Sequence, residues 1–432
     1  MTKTQINLTW HLIILLPFTY VVGIAVTELF TLLLIIFFLL KNRHNFYLKE
    51  KKIIILLLFS IYVGLNAIIQ IADKDLYISS IFYFRFLIFS TAILFFFDNF
   101  ENEIIQKKSI FKTIFIFFFI IFFDVLFQFF YGNNILGFEL PYDRVSSFFG
   151  SKLVLGSFLF TVFPLFLWLI FFYKYEIEKN RIFLIIFFSL YLICVYLSGE
   201  RTSIFLTALY FISLIFFLPI IRKYLILSIL FLFLFIFLTS IFNVGKANTF
   251  NRVFVKTFNQ FTDQLYTEEK KGYTQEQLIE SRKNIHKHIK IFSNDHNGHF
   301  ILAYDLFKKK PLFGSGPEGF RYHCRNIEFD SEIGICSTHP HNFFFQLLSE
   351  TGLLGIFFYI SILIFIFVKF FDVYKRDIDL YKKNCFLVIS LYIFFKLFPL
   401  LPNGNFFNNW ISISIYYFIG FYFYTYNKIF KE

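Results

Sequence analysis

The chain has 432 residues, of which 57% are hydrophobic, and 74 of them are phenylalanine. A soluble domain of this length could not bury so much apolar surface, so composition excludes the soluble globular class and indicates a polytopic α-helical membrane protein. The formal charge of +12 would suit a nucleic-acid binder. Most of the Lys and Arg in short connections fall on one side of the membrane once the spans are drawn, however, so we predict no nucleic-acid partner.

Twelve apolar runs predict membrane-spanning helices, although some reach the required length only with tilt or with flanking residues. The runs lie near 8–25, 27–40, 53–72, 79–97, 110–130, 153–173, 181–198, 202–220, 224–242, 343–371, 385–401 and 410–426. We therefore expect an all-α polytopic fold of about twelve transmembrane helices. The long polar stretch divides it into helices one to nine in 1–242, a partly helical loop domain in 243–342, and helices ten to twelve in 343–432.

The distribution of basic residues predicts which side of the membrane each connection faces. With the N-terminus inside, the inner connections hold Lys41, Arg43, Lys49, Lys51, Lys52, Lys107, Lys108, Lys174, Lys179, Arg181, Arg222, Lys223, Lys375, Arg376, Lys382 and Lys383. The short outer connections hold only Lys74, Arg144, Lys152 and Arg201. This asymmetry predicts cytoplasmic termini and an extracytoplasmic loop domain.

The loop domain has its own helical segments and concentrates the histidines of the chain. Its sequence predicts helices over Gln275–Phe292 and His299–Lys309, followed by a turn at Gly314–Pro317. Seven of the nine histidines lie there, namely His286, His288, His296, His299, His323, His339 and His341. This concentration makes the loop domain the first place to search for chemistry.

His339 and His341 flank Pro340, which forces a non-helical backbone just before an apolar helix that opens at Asn342. Histidine titrates near neutral pH, so one of the pair could act as general base on a sugar or alcohol hydroxyl. Two alternatives remain open. The pair could bind a metal, although a zinc site needs further ligands, or one histidine could simply cap the helix.

The segment Ser198–Ser203 forms an outer turn between two spans and contains Arg201. A guanidinium group can clamp a phosphate with two parallel hydrogen bonds, and Gly199 beside it would let a ligand approach the backbone. The alternative is that Arg201 extends to the lipid headgroups, as interfacial arginines commonly do.

A trail of polar residues, Asp124, Gln128 and Arg144, runs through the fifth predicted span and the connection after it. Charged groups at membrane depth are costly and usually face a cavity or a partner. We expect these side chains to contact a substrate, or else Asp124 to form an internal ion pair with Arg85 or Lys396.

The four cysteines fall into two classes. Cys194 and Cys385 lie in or beside apolar runs and are expected to be buried thiols. Cys324 and Cys336 share the loop domain and are candidates for one disulfide in an oxidising compartment, which would stabilise the loop by roughly 3 kcal/mol.

The order of these motifs resembles the O-antigen ligase and polymerase superfamily of bacterial envelope glycosyltransferases, over about three hundred residues. The residues that carry the resemblance are Asp124–Gln128 with Gly132–Gly137, Arg144 with Phe149–Gly150, Ser198–Thr202, Pro311–Gly316, His339–Asn342, Gly352–Gly355 and Pro399–Phe406.

The resemblance implies a metal-independent glycosyltransferase without cofactor. It would move a glycan from an undecaprenyl diphosphate carrier to an acceptor hydroxyl at the periplasmic face of the bacterial inner membrane, in lipopolysaccharide biosynthesis. His341 and Arg201 match the family's catalytic positions, and Arg144 and His339 would contribute to substrate binding. The family often has a second loop arginine shortly before the Pro-Leu-x-Gly turn, and in that register this chain has Asp295–Phe300, which contains no arginine. The candidates to replace it are His296, His299, Arg282 and Arg321.

Two other functions remain open. Within the family, a ligase attaches the glycan to the lipid A core, whereas a polymerase adds it to the growing lipid-linked glycan, and the sequence does not decide between these acceptors. Outside the family, a transporter of lipid-linked sugars or polysaccharides would also have twelve spans and charged residues within the membrane. The absence of visible internal repeats disfavours the transporter.

Overall fold

The computed structural model describes residues 3–41, 47–71, 78–105, 109–261, 294–326 and 337–431. These residues are predominantly helical and contain no β-strand, apart from an isolated bridge between Asn133 and Glu139. The all-α class predicted from the sequence is confirmed.

Ten helices precede the loop domain in the described part of the chain. They are α1 Lys3–Leu15, α2 Thr19–Val22, α3 Ile24–Leu39, α4 Lys51–Ile71, α5 Phe84–Ile105, α6 Ser109–Tyr131, α7 Leu155–Phe172, α8 Arg181–Leu197, α9 Arg201–Phe217 and α10 Pro219–Ile241. Short 3-10 turns lie at Leu16–Phe18, Ile78–Phe82, Pro141–Asp143 and Ser147–Phe149. Pro219 occupies the first turn of α10, where its missing N–H costs nothing.

The remaining described helices belong to the loop domain and the C-terminal part. They are a π-helical turn Asn251–Val255, α11 Lys256–Phe261, α12 Asn294–Lys309, α13 Gly319–Asn326, α14 Phe343–Lys375, α15 Leu380–Lys396 and α16 Asn409–Phe430. The helix predicted from His299 to Lys309 is confirmed within α12. The one predicted over Gln275–Phe292 lies outside the described residues.

Every predicted span overlaps a helix, and seven segments within the described ranges are long and apolar enough to cross a membrane. These are Lys3–Val22, Lys52–Ile69, Ser80–Ile105, Ile110–Tyr131, Leu155–Phe172, Pro219–Ile241 and Phe343–Lys375. Helices α3, α8 and α9 are apolar but shorter. The chain is therefore a helical membrane protein, while the count of twelve spans and the sidedness of the loop domain stay predictions.

Helix α7 lies at the centre of the bundle, because nearly all of its residues are buried. Aromatic rings fill the space between it and α8: Phe163 stacks on Tyr191 and Phe166 on Phe187, each with ring centroids 4.0 Å apart. Close packing of this kind is what holds helices together in lipid, where burial of apolar surface alone gives little advantage. The start of α7 is thus a fixed point for the connections that meet it.

The ends of the bundle differ in character. At one end, ion pairs join neighbouring helices, such as Lys431 with Glu50 and Lys428 with Glu101. At the other end meet the connections that follow α6, α8, α10 and α15, together with the start of α14. The predicted site residues outside the helices belong to this second end.

Helix α14 is broken at Gly352, where φ is +61° and ψ is −161°. This conformation is open essentially to glycine alone. The first nine residues of α14 therefore form a separate short helix. Leu353–Lys375 is still about 34 Å long at 1.5 Å per residue, enough to cross the hydrocarbon core. The single tenth span of the sequence prediction is thus two helical pieces.

Candidate functional site

Asp124 and Gln128, at the end of α6, hold the connection that follows. Asp124 accepts hydrogen bonds from the backbone N–H of Ile135 (2.9 Å) and from the Ser147 hydroxyl. Gln128 Oε1 accepts from the N–H groups of Ser146 (3.0 Å) and Ser147 (2.7 Å). Both side chains are fully buried. These hydrogen bonds replace the contacts with water that the two side chains lose on burial.

These bonds position the connection that carries Arg144. Direct contact of Asp124 or Gln128 with a substrate stays a prediction. The described ion pairs do not include one between Asp124 and either Arg85 or Lys396; Arg85 contacts Glu28 at 3.5 Å and Asn409 at 2.9 Å.

Glu200 joins the turn after α8 to the start of α7. Its carboxylate accepts hydrogen bonds from the backbone N–H of Gly156 (2.7 Å) and Ser157 (3.1 Å), and from the Ser157 and Ser203 hydroxyls (2.7 and 3.1 Å). Unsatisfied N–H groups at a helix start favour a carboxylate there. Glu200 thus fixes the turn that begins α9 at Arg201.

Arg144 is buried against this turn. Its Nε donates to the carbonyl of Ser198 at 3.1 Å, and its Nη2 lies 4.0 Å from Glu200 Oε1, at the limit of an ion pair. The four hydrogen bonds that Glu200 already accepts leave this carboxylate mainly engaged with α7 and α9. Arg144 is therefore only weakly neutralised.

Gly199 lies between two arginines. It has a positive φ of +62°, and a Cβ placed on it would lie 3.1 Å from Cδ of Arg252 and 3.5 Å from Cγ of Arg144. Arg252, on the π-helical turn, donates from Nε to the carbonyl of Gly199 at 3.0 Å. Glycine is needed here both for the backbone conformation and for the close approach of the two side chains.

The positive charges of Arg144, Arg201 and Arg252 act on one another. The pKa of Arg144 is lowered to about 10, chiefly because burial disfavours its charged form and then because Arg252 repels it. Glu200 opposes this shift and Arg201 adds to it. At this pKa Arg144 still carries its proton at neutral pH, and the protein holds three guanidinium groups close together. Such an arrangement is suited to a polyvalent anion.

The end of α15 connects the arginines to the histidines. Lys396, the last residue of α15, is within electrostatic range of Glu200. Three residues later, the carbonyl of Pro399 accepts a hydrogen bond from the Asn342 amide at 2.7 Å, and the N–H of Asn403 donates to the carbonyl of His341, also at 2.7 Å. The two groups of residues therefore lie at the same end of the bundle.

His341 is half-buried and has a positive φ of +56°, a strained conformation for a residue with a Cβ. Its Nε2 lies 2.9 Å from the Ser337 hydroxyl oxygen. The ring centroids of His339 and His299 lie 4.1 and 5.4 Å from that of His341. Three imidazole rings thus lie close together near the start of α14.

Neither histidine of the pair caps α14, so that alternative is wrong. The cap is Asn342, whose Oδ1 accepts from the N–H of Phe345 at 3.1 Å while its Nδ2 binds the connection after α15. Gln346 reinforces this attachment, because it donates to Asn405 at 2.7 Å and accepts from the N–H of Phe406 at 2.8 Å.

The turn Pro311–Gly316 packs against the break in α14. The N–H groups of Ser315 and Gly316 donate to the carbonyls of Ser349 and Glu350 at 2.9 Å, and the N–H of Leu353 donates to the carbonyl of Pro311 at 2.9 Å. The buried Glu350 side chain accepts from the N–H of Phe320 at 3.2 Å, at the start of α13. The break therefore anchors α12 and α13 over the first part of α14.

The other predicted residues lie in or near this cover. Arg321 is half-buried on α13, where its charge acts on Glu318. Cys324 is buried between α12 and α13, but its predicted partner Cys336 lies outside the described residues, as does Arg282. The backbone of His296 belongs to α12, and its side chain is outside the described part. The disulfide and these binding roles stay predictions.

Arg252 is the residue that sequence reasoning missed. It lies in a short polar stretch after α10 without a recognisable motif. The one available signal was its position just beyond the ninth span, on the same side as Arg144 and Arg201.

In the ranges that the structure describes, no three His, Cys, Asp or Glu side chains are grouped as metal ligands would be. A metal-independent reaction stays a prediction, since the loop domain is described only in part.

The comparisons with known proteins bear on the histidine part of the site. Residues 299–360 match a family model described as O-Antigen ligase. The match includes His299, the Pro311–Gly316 turn, His339, His341 and the break at Gly352. No curated protein matches the chain. The resemblance to the O-antigen ligase and polymerase superfamily that the sequence indicates is thus confirmed, on a family match that spans residues 299–360.

Proposed function

We propose that the protein is a membrane glycosyltransferase that moves a glycan from undecaprenyl diphosphate to a sugar hydroxyl at the periplasmic face. The observation that carries the proposal is the placement of the buried Arg144, the half-buried Arg201 and a strained histidine at one end of the bundle. Arg144 and Arg201 are suited to a diphosphate. Nε2 of His341 lies 2.9 Å from the hydroxyl oxygen of Ser337, so this nitrogen is placed to contact a hydroxyl group, and an acceptor hydroxyl that replaced Ser337 would be within reach of a general base.

The proposed reaction exchanges one bond at the anomeric carbon for another. The acceptor oxygen attacks that carbon and its proton passes to His341 as the bond to the diphosphate oxygen breaks. The bonding electron pair leaves with undecaprenyl diphosphate, whose growing negative charge Arg144 and Arg201 stabilise. The start of α14 supports the neutral form of His341, since the positive end of a helix dipole disfavours a cation.

Reconstitution tests this reaction directly. Purified protein in liposomes is given a labelled glycan on undecaprenyl diphosphate and a lipid A core acceptor, without nucleotide, and product is followed over time. We expect transfer by the wild type and a loss of about a hundredfold to ten-thousandfold in His341→Ala. His339→Ala is expected to be milder. His11→Ala, which alters an exposed histidine on α1, is the matched control. Normal transfer by both loop variants would refute a catalytic role for this pair.

The acceptor separates the ligase from the polymerase. A ligase transfers the glycan only when lipid A core is supplied, and its deletion strands polymer on undecaprenyl diphosphate. A polymerase lengthens the donor without lipid A core, and its deletion strands single repeat units. We favour the ligase, because the matched family model is described as O-Antigen ligase. A transporter would form no new bond in either assay.

A further inference from the structure

We propose that Arg252 is a third diphosphate-binding residue, beside Arg144 and Arg201. The inference rests on the proposed function and extends it to a residue that no motif identifies. It starts from the arrangement around Gly199, where the side chains of Arg144 and Arg252 both approach the position that a Cβ would occupy.

The two guanidinium groups are held in equivalent ways. Arg144 donates from Nε to the carbonyl of Ser198, and Arg252 donates from Nε to the carbonyl of the next residue, Gly199. Each bond fixes the guanidinium plane and uses the nitrogen nearest the side-chain stem. The two terminal nitrogens of each arginine, which can bind phosphate oxygens in parallel, lie on the side of the guanidinium group away from its side-chain stem.

The charges around this pair are unbalanced. Arg252 forms no ion pair within the described residues, and Glu200 is occupied by the start of α7. Burial lowers the pKa of Arg201, at the start of α9, and the positive charge of Arg252 lowers it further. Holding three guanidinium groups together costs free energy that a polyvalent anion would recover. A diphosphate offers enough negative charge and enough oxygens to engage all three.

The position of Arg252 also suits a residue that binds a ligand from the loop domain. It lies on the π-helical turn Asn251–Val255, and such turns occur often at functional sites. The segment before it is attached to the end of α6, where the N–H of Lys246 donates to the carbonyl of Phe129 at 2.8 Å. Arg252 thus comes from a different connection than Arg144 and Arg201, so three connections converge on one anion site.

Diphosphate binding tests the inference without the transfer reaction. The probe is farnesyl diphosphate in detergent micelles, and the readout is the ligand-induced rise in the unfolding temperature, converted to an affinity. We expect Arg252→Gln to weaken binding about tenfold to hundredfold, since a charged hydrogen-bond donor is lost. Arg252→Lys should lie between it and the wild type. The matched control is Lys256→Gln, an exposed charge four residues further on, which should bind as the wild type.

Two further arms identify the ligand. Farnesol, which has the same tail without phosphate, should give no arginine-dependent shift. Inorganic pyrophosphate should bind through the same arginines, and if it binds as well as farnesyl diphosphate the site recognises free diphosphate rather than a lipid carrier.

Two results would overturn the inference, and a third would overturn only the proposed function. If Arg252→Gln lowers the unfolding temperature of the free protein but leaves the ligand-induced rise unchanged, Arg252 only ties its turn to Gly199 and the inference is overturned. Absence of diphosphate binding by the wild type would overturn it as well. If the wild type binds in an Arg252-dependent way yet transfers no glycan, the proposed function fails while the binding site stands.

Discussion

At the residue scale, the site depends on side chains that are held by backbone groups. Arg144 and Arg252 bind consecutive carbonyls, and Asn342 binds both its own helix and the connection after α15. Such contacts fix the direction of a side chain before a ligand arrives, which lowers the entropy lost on binding.

Arg201→Lys tests whether the shape of the guanidinium group matters as well as its charge. Lysine retains the charge but loses the two-pronged geometry, so we expect transfer to fall by about tenfold or more. The measurement is initial rate against donor concentration, with Arg222→Lys as control because Arg222 is exposed and donates to carbonyls at the end of α9. A wild-type rate would leave Arg201 as a headgroup anchor.

Glu318 predicts a pH dependence of stability. One of its carboxylate oxygens is buried without a hydrogen-bond partner in the described residues, and burial raises its pKa above the ordinary 4.5, although Arg321 opposes the shift. The folded state therefore holds the proton more tightly than the unfolded state, so the stability from this group is present at low pH and is lost as pH rises.

Glu318→Gln, which cannot ionise, should accordingly unfold at a higher temperature than the wild type at about pH 8, and the difference should shrink toward about pH 5. Thermal unfolding at both pH values measures this. A constant difference across the range would contradict the expected role of the buried carboxyl group.

At the scale of elements, the break in α14 decides how the loop domain meets the membrane helices. The turn at Gly314 inserts beside Gly352, and α4 adds a hydrogen bond from the Asn66 amide to the carbonyl of Phe313 at 2.7 Å. Polar backbone groups freed by the break are thus satisfied by two other elements, as irregular backbone near a membrane requires. This joint positions α12 and α13, and with them His299.

Gly352→Ala should destabilise this joint strongly. A Cβ at Gly352 would lie 2.5 Å from the carbonyl oxygen of Leu312, and its backbone conformation is one that alanine avoids. Gly137→Ala is the matched control, since Gly137 also has a positive φ, +86°, but no described atom within 4 Å of the added Cβ. Strain alone costs about 1–3 kcal/mol, so Gly352→Ala should lower the unfolding temperature more than Gly137→Ala. Equal effects would mean that the turn yields readily.

At the scale of the whole molecule, the arginine and histidine groups lie at one end of the bundle, whereas the ion pairs of Lys431 with Glu50 and of Lys428 with Glu101 lie at the other. Exposed Tyr142 belongs to the site end, and exposed Lys174, which pairs with Asp379 at 3.5 Å, to the opposite end. The distribution of basic residues predicts that the site end faces the periplasm.

Cysteine labelling tests this orientation. In a background with Cys324 and Cys336 replaced by serine, Tyr142→Cys should react with a membrane-impermeant maleimide in intact spheroplasts, and Lys174→Cys only after permeabilisation. The remaining Cys194 and Cys385 are buried, so the background itself should stay unlabelled. The reverse pattern would place the site in the cytoplasm.

The sequence by itself determined the membrane class and the approximate position of the helices, because a helix in lipid must be built from one contiguous apolar run. It also predicted His341, Arg201 and Arg144 as site residues through local motifs. Only the tertiary structure decided that Asp124 and Gln128 hold a connection, that α14 breaks at Gly352 into two pieces, and that Arg252 approaches Gly199. These contacts join residues far apart in the chain, and their geometry follows from helix packing, which no local pattern encodes.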